Sequence, residues 1–82
     1  MPELVSIITP MYNSQRFIKS AIKSVQAQTY QNWEMIIVDD GSADGSVDIT
    51  KAFVENDERI RLIILQNNRG PAVARNEGIK VA

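Results

Sequence analysis

Residues 33–42 read Trp33-Glu34-Met35-Ile36-Ile37-Val38-Asp39-Asp40-Gly41-Ser42, an almost unbroken apolar run halted by two carboxylates and a turn. A strand with one wet face alternates polar and apolar residues, whereas a strand covered on both faces does not, so this run predicts a central strand of a parallel sheet over 33–38. The Gly and Asp residues that follow suit a loop, and Asp44 or Ser46 suits the N-cap of a helix running to about Asn56 and burying Ile49, Ala52 and Phe53. Upstream, Phe17, Ile18, Ala21, Ile22 and Val25 recur at helical spacing between Ser14 and Gln28. Asn13 or Ser14 is the expected cap there, with Lys19 and Lys23 off the apolar stripe. Before it, Leu4–Thr9 is β-branched and is expected to end at Pro10, which has no N–H for a ladder.

Downstream, Ile60–Leu65 predicts a third strand, and Arg61 near its start predicts an edge. Asn67-Asn68-Arg69-Gly70 reads as a turn, Pro71 has the fixed φ of a first helical position, and a helix over 72–82 follows with Gly78 as its weak point. Alternation of strand and helix over all 82 residues predicts one α/β domain, 1–82: three βα units on an open parallel sheet of order 3-2-1.

Composition narrows the chemistry. Nine basic and ten acidic residues give a net charge of −1, which builds no positive field for nucleic acid. Without cysteine or histidine there is no thiol catalysis, disulfide framework, imidazole or thiolate zinc site, or Ser-His-Asp triad. Apolar runs such as Met35–Val38 fall far short of the roughly 18 to 20 residues that span a bilayer. Met1-Pro2-Glu3 lacks the basic start of a signal peptide, so a cytoplasmic location is expected.

In such sheets ligands bind beyond the carboxyl ends of the strands. That rim would gather Pro10, Tyr12, Asn13, Asp39, Asp40, Ser42, Asn68 and Gly70, with Arg75 one helical turn behind; the opposite rim, with Glu3, Asn32 and 57–59, reads as an ordinary solvated mixture. Two adjacent carboxylates repel and must partly desolvate, a cost with little purpose in a plain turn, although turn and cap chemistry is the simpler alternative. Leaving a strand, they point to opposite sides, one toward the cleft and one toward the loop or a helix terminus. A cleft carboxylate only accepts hydrogen bonds: it suits N3–H of uracil or thymine and opposes the lone pair at cytosine N3. Tyr12 offers a stacking face for the same base, or merely covers the sheet end.

Asp40–Asp48 also places oxygen ligands at positions 1, 3, 5 and 9 of a calcium loop with Gly45 at position 6, but Lys51 stands at position 12 where a bidentate Glu belongs. A non-catalytic calcium module and a βα interaction domain are the competing readings. Neither G-x-G-x-x-G nor a P-loop is present.

Together Thr9-Pro10-Met11-Tyr12-Asn13, Ile37-Val38-Asp39-Asp40-Gly41-Ser42 and Asn68-Arg69-Gly70-Pro71-Ala72-Val73-Ala74-Arg75-Asn76-Glu77-Gly78 resemble three ordered blocks of the family-2 inverting glycosyltransferases. The resemblance implies the N-terminal half of a GT-A, Rossmann-like domain. It implies a UDP-sugar donor whose base is held at Tyr12 and Asp39 beside Pro10, with Arg75 closing the pocket and Asp40 touching ligand or steadying the loop. It further implies a divalent metal, Mn or Mg, on a later D-x-D motif and a later acidic base, neither within this chain, so no catalytic residue is expected here. The chain is accordingly expected to be a truncated piece that transfers no sugar alone and self-associates through an exposed first-strand edge. The longer enzyme would work in the cytoplasm or at the inner membrane face. The sugar and the acceptor, whether lipid carrier, polysaccharide or protein, are left open.

Overall fold

The computed structural model describes residues 3–65 and 69–82. The elements follow in strict alternation: β1 (Val5–Met11), α1 (Ile18–Ala27), β2 (Trp33–Asp39), α2 (Ser46–Asn56), β3 (Ile60–Ile64) and α3 (Pro71–Val81). The strands form one parallel sheet in the order β1-β2-β3, with Val5 opposite Trp33, Met11 opposite Asp39, and Asp39 opposite Ile64. The predicted α/β architecture and strand order are therefore observed.

Alternation along the strands sorts the core into two layers. Ile7, Met11, Trp33, Met35, Ile37, Ile60 and Leu62 pack with Ile18 and Ile22 of α1 and with Val47, Ile49 and Phe53 of α2. On the other face Ile8, Ile36, Val38 and Ile63 pack with Ala74 of α3. Helices on both faces explain why β2 carries no polar residue between Met35 and Val38.

Four expectations need correction. β1 runs through Pro10 to Met11. Val5 N donates to Asn32 O and Met11 O accepts from Asp40 N, so odd-numbered residues of β1 face β2 and Pro10 N faces the open edge, where a missing donor breaks no ladder bond. α1 starts at Ile18, after a turn in which Phe17 N and Ile18 N both donate to Ser14 O, and neither Asn13 nor Ser14 is its cap. Phe17 lies at the N-cap and is 70% exposed, so the buried stripe is Ile18, Ile22 and Val25, with Ala21 exposed on its flank. In α2 the fully buried positions are Ser46 and Thr50, while Ala52 is exposed. Both hydroxyls are satisfied: Thr50 Oγ1 donates to Ser46 O at 2.9 Å, and Ser46 Oγ donates to Asp44 Oδ1.

The opposite rim is likewise more than a solvated mixture. Arg59 donates to Asp57 through Nε and Nη2 and lies over the Trp33 ring, 3.9 Å from its centroid. The Arg59 hydrogen bond, more than its charge alone, takes the Asp57 carboxyl down to about 2.

Gly78 has a packing reason. A Cβ there would lie 2.5 Å from Ile8 Cγ2 and 3.2 Å from Val38 Cγ2, so its absence lets α3 approach β1 and β2 closely.

Candidate functional site

The β1–α1 and β2–α2 loops are joined at the carboxyl rim. Asn13 takes φ 47°, a left-handed conformation that Asn tolerates better than most residues. There its N–H donates to Ser42 Oγ at 2.9 Å and its Oδ1 accepts from Ala43 N at 2.8 Å. Ser14 N donates to Ser46 Oγ at 2.7 Å, Gln15 N to Asp44 Oδ2 at 3.1 Å, and Gly45 N to Gln15 Oε1 at 2.9 Å. Asp44 Oδ1 also accepts from Ser46 N, ahead of Gly45, the N-cap of α2. The Ser46 hydroxyl bond holds the Asp44 carboxyl below its ordinary range, outweighing desolvation.

The two central carboxylates diverge, as alternation requires. Asp39 is 1% exposed; its Oδ2 accepts from Ser42 N at 3.2 Å, and its Oδ1 is buried without a hydrogen-bond partner among the described residues. Asp40, 3% exposed, turns toward α3, where Oδ1 accepts from Arg69 N and Oδ2 from Gly70 N, each at 2.7 Å. Gly70 sits at φ 93° and ψ 157°, a conformation essentially reserved for glycine.

A cavity of about 390 Å³ opens beside them, lined by Pro10, Met11, Tyr12, Asp40 and Pro71. It lies between the ends of β1 and β2 and the start of α3, and its lining side chains are apolar apart from Asp40 and the Tyr12 hydroxyl. Tyr12 is half exposed, so its ring is available to a ligand. Arg75 is exposed, one turn after Pro71 on the same helix face, and among the described residues it forms no ion pair; Glu77 instead pairs with Lys80 at 3.2 Å.

Of the described residues expected on the rim, the structure brings three to one cavity and places the others around it. Pro10, Tyr12 and Asp40 line the cavity; Asp39 does not, and lies on the α1–α2 side of the sheet end. Asn13 and Ser42 spend their polar groups on each other's loops, and Gly70 contributes its N–H and its backbone geometry. Asn68 lies outside the described residues. Met11 and Pro71 line the cavity without having been singled out; Pro71, four residues before Arg75, carried the available signal.

The calcium reading loses its ligand set. Both Asp40 oxygens already bind backbone N–H groups, Asp44 is turned to Gln15 and Ser46, and no group of three or more acidic side chains gathers among the described residues. Among the same residues no helix is long and apolar enough to cross a membrane.

Known proteins share this fold and much of this sequence. The family model described as glycosyl transferase family 2 matches residues 6–82. TuaG of Bacillus subtilis is 48% identical over 79 residues, 96% of this chain and 31% of TuaG. The glycosyltransferase GlyG of Streptococcus pneumoniae is 44% identical over 82 residues, the whole of this chain and 27% of GlyG. Among solved structures, residues 1–349 of S. aureus TarS in complex with UDP superpose with a TM-score of 0.88 at 28% identity, covering 99% of this chain and 24% of that one. The mannosyltransferase PcManGT of Pyrobaculum calidifontis, in complex with GDP-Man and Mn2+, gives 0.87 at 27% identity over 95% of this chain and 24% of its own. The chain therefore spans about a quarter to a third of the length of these relatives.

Proposed function

Because the chain belongs to glycosyl transferase family 2 and has the GT-A, Rossmann-like layout of its structural neighbours, we propose that it forms the donor-binding part of an enzyme moving a sugar from a UDP-sugar to an acceptor hydroxyl with inversion. The observation that carries the reading is Asp39: a buried carboxylate at the end of the central strand, with Oδ2 held by Ser42 N and Oδ1 unpartnered. A buried acceptor with no donor is costly unless a ligand supplies one, and N3–H of a pyrimidine imide is such a donor. Tyr12 gives the stacking face and Pro10 flanks it, while Arg75 closes the far side of the cleft beyond Pro71. Because Asp39 lies outside the cavity these residues line and its Oδ1 is closed to solvent, the Tyr12 segment must shift as the base enters. Asn13 and Ser42 hold the loops that aim Asp39. UDP in the TarS complex supports the choice of base.

A divalent metal, Mn or Mg, belongs to this reading of the longer enzyme, and the Mn2+ accompanying GDP-Man in the Pyrobaculum enzyme supports it. The acidic residues described here do not gather to hold one, so no step is assigned through the metal. The residues of this chain bind and orient the base; neither a D-x-D motif nor an assigned general base lies among them, and the 82 residues alone transfer no sugar.

Calorimetric titration with UDP tests the reading. Removal of one charge-assisted hydrogen bond is worth about 1.5 to 3 kcal/mol, roughly a 10- to 150-fold loss of affinity for Asp39→Ala. Tyr12→Ala should weaken binding by a comparable stacking contribution, and CDP should bind less tightly than UDP. Equal affinities for UDP and CDP, or an unaffected Asp39→Ala variant, would overturn it. Incubation with UDP-sugars, manganese and an acceptor extract should yield no product above the protein-free control.

A further inference from the structure

We propose that Asp40 is a positioning residue that clamps the start of α3 to the end of β2, and so sets the third wall of the donor cleft without reading the base. The inference rests on the donor-binding reading above. Each Asp40 oxygen is taken by one of two consecutive backbone N–H groups, Arg69 N and Gly70 N, both at 2.7 Å, from a segment about thirty residues downstream. Gly70 O in turn accepts the first helical bond of α3, from Ala74 N at 3.2 Å.

Asp40 therefore acts on the helix from outside it, where a carboxylate satisfies donors ahead of the first turn and meets the favourable end of the helix dipole. The anchored residues lead directly into Pro71, which lines the cleft, and into Arg75 one turn on. Gly70 at φ 93° takes a backbone conformation that glycine alone adopts freely, there is open space where a Cβ would be, and the two Asp40 hydrogen bonds hold the junction in that conformation. Asp39 differs at each point, with one oxygen held and one vacant. The adjacent carboxylates thus divide the work: Asp39 keeps one oxygen open to a ligand donor, and Asp40, although it lines the cavity, holds the wall.

The experiment combines amide hydrogen exchange with nucleotide titration on the whole chain, at a temperature where circular dichroism shows each variant folded. In Asp40→Ala, exchange at Arg69, Gly70 and Ala74 should accelerate at least about tenfold while β2 amides stay protected, and UDP affinity should fall about tenfold as the competent cleft becomes a minor population. Asp40→Asn, which keeps one acceptor oxygen, should change both quantities in the same direction by less, and covers the case in which the alanine variant does not fold. The ratio of UDP to CDP affinity should be unchanged in the Asp40 variants and altered in Asp39→Asn. A UDP-to-CDP ratio shifted by Asp40→Asn would make Asp40 the base reader and overturn the proposal. So would unaltered exchange at Arg69, Gly70 and Ala74, or faster exchange with full UDP affinity. Should the unmodified chain bind no UDP, the donor-binding reading fails, and the clamp stands or falls on exchange alone.

Discussion

Replacing Gly78 by alanine sets two known effects against each other inside α3. In a helix interior, alanine is favoured over glycine by about 0.8 to 1.0 kcal/mol, so propensity alone predicts a more stable protein. The added Cβ, however, falls 2.5 Å from Ile8 Cγ2 and 3.2 Å from Val38 Cγ2, whereas carbon atoms pack best at about 3.5 to 4.0 Å. Ile8 is β-branched and seated on a strand, with little freedom to swing its Cγ2 away, so relief requires α3 to lift by about 1 Å. Overpacking of this kind costs typically about 1 to 3 kcal/mol, and the net expectation is a loss of about 1 kcal/mol, or roughly 4 to 8 °C in midpoint for a domain of this size. Urea and thermal unfolding followed by circular dichroism measure it. Ile8→Ala removes the obstructing methyl, so the double variant should be more stable than the sum of the two single changes predicts. The helix also carries Pro71 and Arg75, so lifting it should weaken UDP binding. A Gly78→Ala protein stabilised by the full propensity gain would refute the close approach of α3 to the sheet.

Other outcomes follow from the same geometry. Ser42→Ala removes the acceptor of Asn13 N–H and should cost about 1 kcal/mol in urea unfolding while reducing UDP affinity; an unchanged affinity would detach the loop bridge from the site. Gly70→Ala should lose about 1 to 3 kcal/mol through backbone strain alone, because its Cβ meets no neighbour, and equal midpoints by thermal unfolding would contradict that origin. Asp57, lowered from 3.8 to about 2 in the folded chain, contributes stability that is complete above about pH 3.8 and lost as pH falls through 2. With Arg59 a third exposed, the amount is about 1 to 2 kcal/mol, and Asp57→Asn should flatten the unfolding free energy over pH 2 to 4; parallel curves would refute it. At the β1 edge of the sheet, Leu4, just before the strand, and Val5, its first residue, are 56% and 46% exposed, and no described strand pairs with the outer side of β1. Self-association through that edge should appear as concentration-dependent sedimentation, and a single monomeric species at high concentration would count against it.

The sheet was legible because its signals are local. β2 announces itself by apolar continuity, and Pro71 marks the start of α3 by its fixed φ. What escaped depends on partners distant in the chain. Pro10 reads as a strand terminator, yet which side its nitrogen faces is decided only by pairing with β2. Phe17 fits the apolar stripe of α1 on paper, but a turn closed on Ser14 O starts the helix at Ile18 and leaves the ring in solvent. Gly78 reads as a helix weakness until Ile8 is seen beneath it. At the candidate site, residue types pointed to the carboxyl rim, while the positions of Asn13, Ser42 and Asp40 are set by hydrogen bonds spanning about thirty residues, which no local pattern encodes. The Asp39–Asp40 pair was separable in principle by strand alternation; which carboxylate lines the cavity was not.

Asp39 Oδ1, as the acceptor proposed for a base N–H, carries the donor-binding function. The most direct measurement is the amide spectrum of the isotopically labelled chain titrated with UDP. Saturable shifts should centre on Tyr12, Asp39 and Ser42, with a weaker echo at the Gly70 junction, and Asp39→Ala should move their saturation to roughly 10- to 150-fold higher UDP while leaving the rest of the spectrum folded. Shifts confined to the opposite rim around Arg59, or a response that survives Asp39→Ala intact, would contradict it.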